Sequence, residues 1–219
     1  FGSGSLRHTI RQTGDSFAWY VVSDAAIACT LAPAITTTNM DVAAFAPLQV
    51  VPAGETVKLA TFTITDPAQA YKYGVSYRFR FGDYTAAPSP YVYALPWSAT
   101  EPRKVGQGFH GTFSHTGDSE YAVDVLMPEG QAATTGGTDP GFKEIERVNF
   151  VYVAHADGTF AKYLHLAPGG VRVALGQAVA RGELLGLSGN TGFSSAPHLH
   201  FELGAARDGV SSRSFPFKW

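Results

Sequence analysis

The stretch 71–81, YKYGVSYRFRF, constrains the fold more than any other part of the chain. Tyr71, Tyr73, Val75, Tyr77, Phe79 and Phe81 alternate with Lys72, Gly74, Ser76, Arg78 and Arg80. Residues two apart share one face of a strand, so this pattern reads as a strand with one face on a core and the other in water. Capped segments with helical periodicity are hard to find, while Gly (24) and Pro (13) are frequent among the 219 residues. The fold class expected is therefore all-β. FAWYVV, AAIACTLA, FAPLQVV and TVKLATFTI are further strand candidates, separated by turn-like VPAGE and TDPAQ. They predict an N-terminal antiparallel β-sandwich over residues 1–88. The Pro- and Ala-rich YTAAPSPYVYALP breaks the alternation, which places a linker at 89–103 and a second, β-rich domain with a central antiparallel sheet at 104–219.

Charge and apolar patterning narrow the partners. A net charge of -2 with scattered Lys and Arg gives no basic field for nucleic acid or an anionic membrane. No apolar run approaches the ~20 residues of a membrane span. The single cysteine, Cys29, has no partner for an internal disulfide and lies in an apolar stretch, which favours a buried thiol. The chain opens at Phe1 without an initiator Met or a signal-like segment and reads as processed or trimmed.

Chemistry concentrates beyond the linker, in APHLHFEL at 196–203. On a strand, His198 and His200 present adjacent imidazoles on one face, while Leu199 and Phe201 take the other. That geometry suits a metal or proton-transfer site, and equally a pair of satisfied core histidines. A catalytic zinc site commonly has three protein ligands and an open fourth position. His115 and, nine positions later, Asp124 within the apolar YAVDVLM supply candidates, because a carboxylate in an apolar strand needs compensation. His115, Asp124 and one histidine of the pair would give a two-His, one-carboxylate set, leaving His165 and the other histidine for proton transfer. His110 is the weaker rival for His115. Asp157-Gly158 signals a two-residue hairpin that would set Ala154 opposite Ala161, Tyr152 opposite Tyr163 and Phe150 opposite His165. Asp118 and Glu120 are expected to be solvated, His155 to be structural, and Tyr163 to line a cleft or fill the sheet.

SHTGDSEYAVDVLMPEG, ADGTFAKYLHLAPG and VALGQAVARGELLGLSGNTGFSSAPHLHFEL resemble the lysostaphin-like (LytM-type) zinc metallopeptidases, over about residues 104–204. The resemblance implies one bound Zn2+ held by His115, Asp124 and His200, with His165 and His198 as catalytic histidines. It further implies hydrolysis of peptide cross-links of bacterial peptidoglycan, and export to the periplasm or the cell exterior. Such a zinc would lower the pKa of its bound water toward ~7 and leave proton abstraction to a histidine, since no HExxH glutamate is present. The rival reading is a non-catalytic module of the same fold that binds peptidoglycan or activates another hydrolase. Against the family pattern, QAATT after Gly130 runs directly into GGTDP and lacks about one hairpin. A real loss would expose a sheet edge near Asp124.

Overall fold

The computed structural model describes residues 6–97, 100–133 and 148–219. The chain divides into two compact units, one of Phe1–Thr85 with Ala206–Ser212, the other of Ala86–Ala205 with Arg213–Trp219. Strands dominate both, and the only helical element among the described residues is one 3-10 turn at Gly117–Ser119.

The first unit holds seven strands: β1 (Leu6–Thr13), β2 (Ser16–Ser23), β3 (Cys29–Thr38), β4 (Met40–Val42), β5 (Gln49–Val51), β6 (Thr56–Ile64) and β7 (Lys72–Phe81). They form a four-stranded sheet in the order β1-β2-β6-β4 and a three-stranded sheet in the order β5-β3-β7. The alternation seen in the sequence is the burial pattern: β2 buries every second residue, including Phe17, Trp19 and Val21, and β7 turns Tyr73, Val75, Tyr77, Phe79 and Phe81 toward the same cluster. Strand β1, whose side chains are mostly exposed, carries little hydrophobic signal and went unanticipated by periodicity.

The second unit is built on a six-stranded antiparallel sheet. Its strands are β8 (Val105–Gln107), β9 (Val123–Leu126), β11 (Phe150–Ala154), β12 (Phe160–Leu164), β14 (His198–Ala206) and β15 (Ser212–Phe215), while β10 (Ala132–Ala133) and β13 (Gly186–Leu187) pair separately. The path runs β11-β12-β14-β9-β8, with β15 also on β14. Strand β14 is thus central and buried along nearly its whole length. One face packs Leu199 and Phe201 with Val123, Val125, Ala161 and Tyr163 into a core. Tyr93, Leu95 and Trp97 join that core, so part of the segment read as a linker belongs to the domain.

One expectation changes. The 155–159 hairpin has a three-residue loop: His155 N–H bonds Thr159 O at 2.9 Å, and Gly158 sits at φ 81°. Asp157 accepts hydrogen bonds from Thr159 N–H and Oγ1, which fixes this longer turn. The register therefore sets Tyr152 opposite Lys162 and Val151 opposite Tyr163, one residue away from the two-residue expectation. Most of VRVALGQAVARGELLG is irregular, with turns at 175–176 and 181–182, although Arg172 N–H to Leu185 O and Leu187 N–H to Gly170 O tie its ends. Strand β9 lies between β14 and β8, with β8 last in the sheet order. The shortened stretch after Gly130 runs into residues 134–147, outside the described residues.

Candidate metal centre and active site

The site occupies the other face of the same sheet. Register places His200 opposite Asp124 on β9 and opposite Leu164 on β12, while His198 faces Leu126. His198 and His200 hold the same side because Leu199 between them is drawn into the core. A bulge between Val105 and Gln107 turns Gln107 toward Asp124, and its Nε2 donates to Asp124 Oδ2 at 3.4 Å and to Ser114 Oγ at 2.8 Å. Gln107 Oε1 accepts from the Phe113 and Ser114 amides, which shapes the loop that delivers His115. Gly111 allows that packing, since a Cβ there would lie 2.1 Å from Gln107 Cγ.

His115, Asp124 and His200 each offer a ligand atom, all within 4.8 Å of one another. His115 Nδ1–H donates to Gly108 O at 2.8 Å, so in the neutral ring Nε2 carries a lone pair. That Nε2 is buried without a hydrogen-bond partner and lies 3.1 Å from Asp124 Oδ1. Two acceptors this close are accommodated by a proton or a metal cation between them. His200 repeats the theme, with Nδ1 2.9 Å from Asp124 Oδ1 and Nε2 3.3 Å from Glu202 Oε2. The residues present therefore fit a metal ion.

The electrostatics agree. Burial alone would raise the Asp124 carboxyl, but the neighbouring imidazoles of His115, His200 and His198 hold it well below the usual carboxylate range. Burial would lower His200, yet Asp124 and Glu202 raise it to about 9, so positive charge is favoured at this point. Glu202, which burial alone would raise, is brought down to about 2 by Lys162 and His200. Burial pushes His165 down to about 3 and lowers His198, keeping both rings neutral near pH 7.

His165 and His198 stand beside this set, their ring centroids 4.5 Å apart. Nδ1–H of His165 donates to Thr191 O at 2.5 Å, and Nδ1–H of His198 to Ala196 O at 2.8 Å. Both Nε2 atoms are then acceptors, and that of His198 lies 3.6 Å from Asp124 Oδ1. His165 follows the last residue of β12 with φ 66°, a left-handed conformation uncommon outside glycine. That turn breaks the strand alternation: Tyr163 packs on Phe201 in the core, and Leu164 with His165 lines the cleft. The cleft, about 480 Å³, is also lined by Asp124, His198 and His200, with Phe113 and Phe193 stacked at 6.2 Å beside them.

The other candidates fall outside. His110 packs on Tyr121 with ring centroids 4.9 Å apart and stays exposed. His155 packs against Tyr93 and its Nδ1 hydrogen-bonds Thr159 Oγ1. Asp118 and Glu120 are half-buried rather than fully solvated. Sequence reasoning passed over Gln107 and Glu202. For Glu202 the signal was present, since it continues the His198, His200 face two residues on.

Residues 119–212 match the description "Peptidase family M23". This stretch, most of it in the second unit, is similar to peptidase family M23. Zinc is the metal of M23 peptidases, and the His/Asp/His cluster offers it a place. Among curated proteins, peptidoglycan DD-endopeptidase ShyA of Vibrio cholerae is 47% identical over 86 residues, which are 37% of this chain and 19% of that protein. Lysostaphin of Staphylococcus simulans is 35% identical over 91 residues, 39% of this chain and 18% of its own length. The chain thus spans about a fifth of the length of these relatives. A zinc containing peptidase from Vibrio cholerae, solved by crystallography, aligns over 91% of this chain and 54% of its own, with 18% identity and a TM-score of 0.41.

Proposed function

We propose that the chain is a zinc-dependent endopeptidase that hydrolyses peptide cross-links of bacterial peptidoglycan, with His115, Asp124 and His200 as metal ligands and His165 and His198 as catalytic histidines. The observation that carries this reading is the convergence of three ligand atoms within 4.8 Å beside two acceptor Nε2 atoms in an open cleft. Relatives named as peptidoglycan and glycyl-glycine endopeptidases support the substrate class. Bound zinc supplies a Lewis acid for the scissile carbonyl and lowers the pKa of the attacking water. His198 Nε2 takes the proton of that water, its ring held by Ala196 O and by Ser194 Oγ at 3.1 Å. The proton taken up by His198 passes on to the leaving amine, directly or by way of Nε2 of the adjacent His165, while Thr191 O keeps His165 Nδ1–H in place. A wall substrate implies a protein exported to the periplasm or beyond. No helix among the described residues is long and apolar enough to cross a membrane.

The test is zinc content and peptide release from sacculi of several cross-link types. The purified chain should hold one zinc and expose new amino termini. His198→Ala should keep the metal and lose about 10²–10⁴-fold in turnover, whereas His200→Ala should lose the metal. Zinc retention with no cleavage on any cross-link type would leave the binding or activating module as the reading. Equal zinc loss in both variants would undo the division of roles.

A further inference from the structure

The face of β14 that carries His198 and His200 continues to Glu202, which is 1% exposed. Glu202 Oε2 accepts from His200 Nε2 at 3.3 Å, and its carboxylate pairs with the ammonium of Lys162, directly opposite on β12. Lys162 is itself buried, with Nζ 5.8 Å and 5.5 Å from the ring centroids of Tyr152 and Phe160, which stack on each other at 5.1 Å. A buried ion pair of this kind gives no stability beyond that of packed apolar side chains of the same volume. Folding alone therefore does not account for it.

Hydrogen-bond chemistry does. His115, His165 and His198 each rest Nδ1–H on a main-chain carbonyl, which no substitution of a side chain removes. His200 has no such carbonyl among its hydrogen bonds, and both of its ring nitrogens face carboxylates. If Glu202 holds the proton on Nε2, the lone pair of Nδ1 is directed at Asp124 and the metal position. If it does not, the proton can sit on Nδ1 and block ligation. We propose that Glu202, anchored by Lys162, is a positioning residue that sets the tautomer and orientation of His200 for metal binding. This rests on the reading of His115, Asp124 and His200 as ligands. A carboxylate behind a ligating histidine raises its basicity and typically contributes about 10–100-fold in metal affinity.

The experiment is a zinc competition titration with a chromogenic chelator on the whole chain, paired with the Co2+ absorption spectrum and the melting temperature of metal-free protein. Lys162→Met with Glu202→Leu removes acceptor and counter-charge together and leaves no buried unpaired ion. It should fold like wild type, bind zinc about 10–100-fold more weakly, and show a shifted Co2+ band. A purely structural pair would alter melting and leave zinc affinity alone, so affinity within about threefold of wild type overturns the proposal. Should that variant fail to fold, Lys162→Met with Glu202→Met removes the same acceptor with a more adaptable apolar side chain, and the same threefold limit applies. Wild-type protein that binds no zinc would instead sink the ligand reading, and this inference with it.

Discussion

Replacing Leu199 by alanine separates the two faces of β14 most cleanly. The side chain is fully buried, lies opposite the fully buried Val125, and is flanked in the chain by the two site histidines. Truncation removes three carbons, at about 0.8 kcal/mol per methylene, and leaves a cavity among side chains fixed by the sheet. Because β14 is hydrogen-bonded on both sides, collapse into that cavity is restricted, which places the cost in the range of about 2–5 kcal/mol. For a unit of this size each kcal/mol lowers the melting temperature by about 2–8 °C. The assay is differential scanning calorimetry of the second unit's transition, with zinc measured on the folded fraction. Leu126→Ala, on the exposed side of the neighbouring strand, is the control and should cost under about 1 kcal/mol. Leu199→Ala should melt far lower while holding zinc at the wild-type ratio. A variant that keeps its melting temperature but loses zinc would place Leu199 in the cleft and refute the division of APHLHFEL into a core face and a chemical face.

Cys29 is wholly buried and burial pushes its thiol up to about 12, so an aromatic disulfide reagent at pH 8 should leave it unlabelled until the first unit unfolds; one equivalent reacting at once in native buffer would contradict its placement. Burial lowers His155 below its ordinary value, with Asp157 opposing, so the unfolded chain binds a proton that the fold resists. Its contribution to stability is complete above about pH 6.5 and falls as the pH drops toward the lower folded value, by up to about 1.4 kcal/mol per pH unit. The stability gap between wild type and His155→Asn should shrink between pH 8 and pH 5, and parallel curves would show that His155 does not titrate in this way.

The sequence was most legible where one side chain in two is apolar. β2, β6 and β7 follow from that period, and so does the pairing of His198 with His200 on one face. It was least legible where a turn decides. One extra loop residue after Ala154 shifted the β11–β12 register, and the left-handed turn at His165 brought its ring to the cleft beside Leu164, where alternation would have sent it to the core side with Tyr163. Neither depends on hydrophobic period. Gln107 was hidden for a related reason, because a bulge rather than its position in a pattern aims it at Asp124. β1 carries too few buried side chains to announce itself, while the Pro-rich stretch before residue 98 conceals Tyr93 and Trp97 as core residues.

Asp124 and His200 are 76 residues apart in the chain and meet only through the pairing of β9 with β14. A chain that is still being made, or that has been cut before β14, therefore presents His115 and Asp124 without the rest of the cluster. The cluster of His115, Asp124 and His200 would then be completed in a single late event, when the central strand docks between its neighbours.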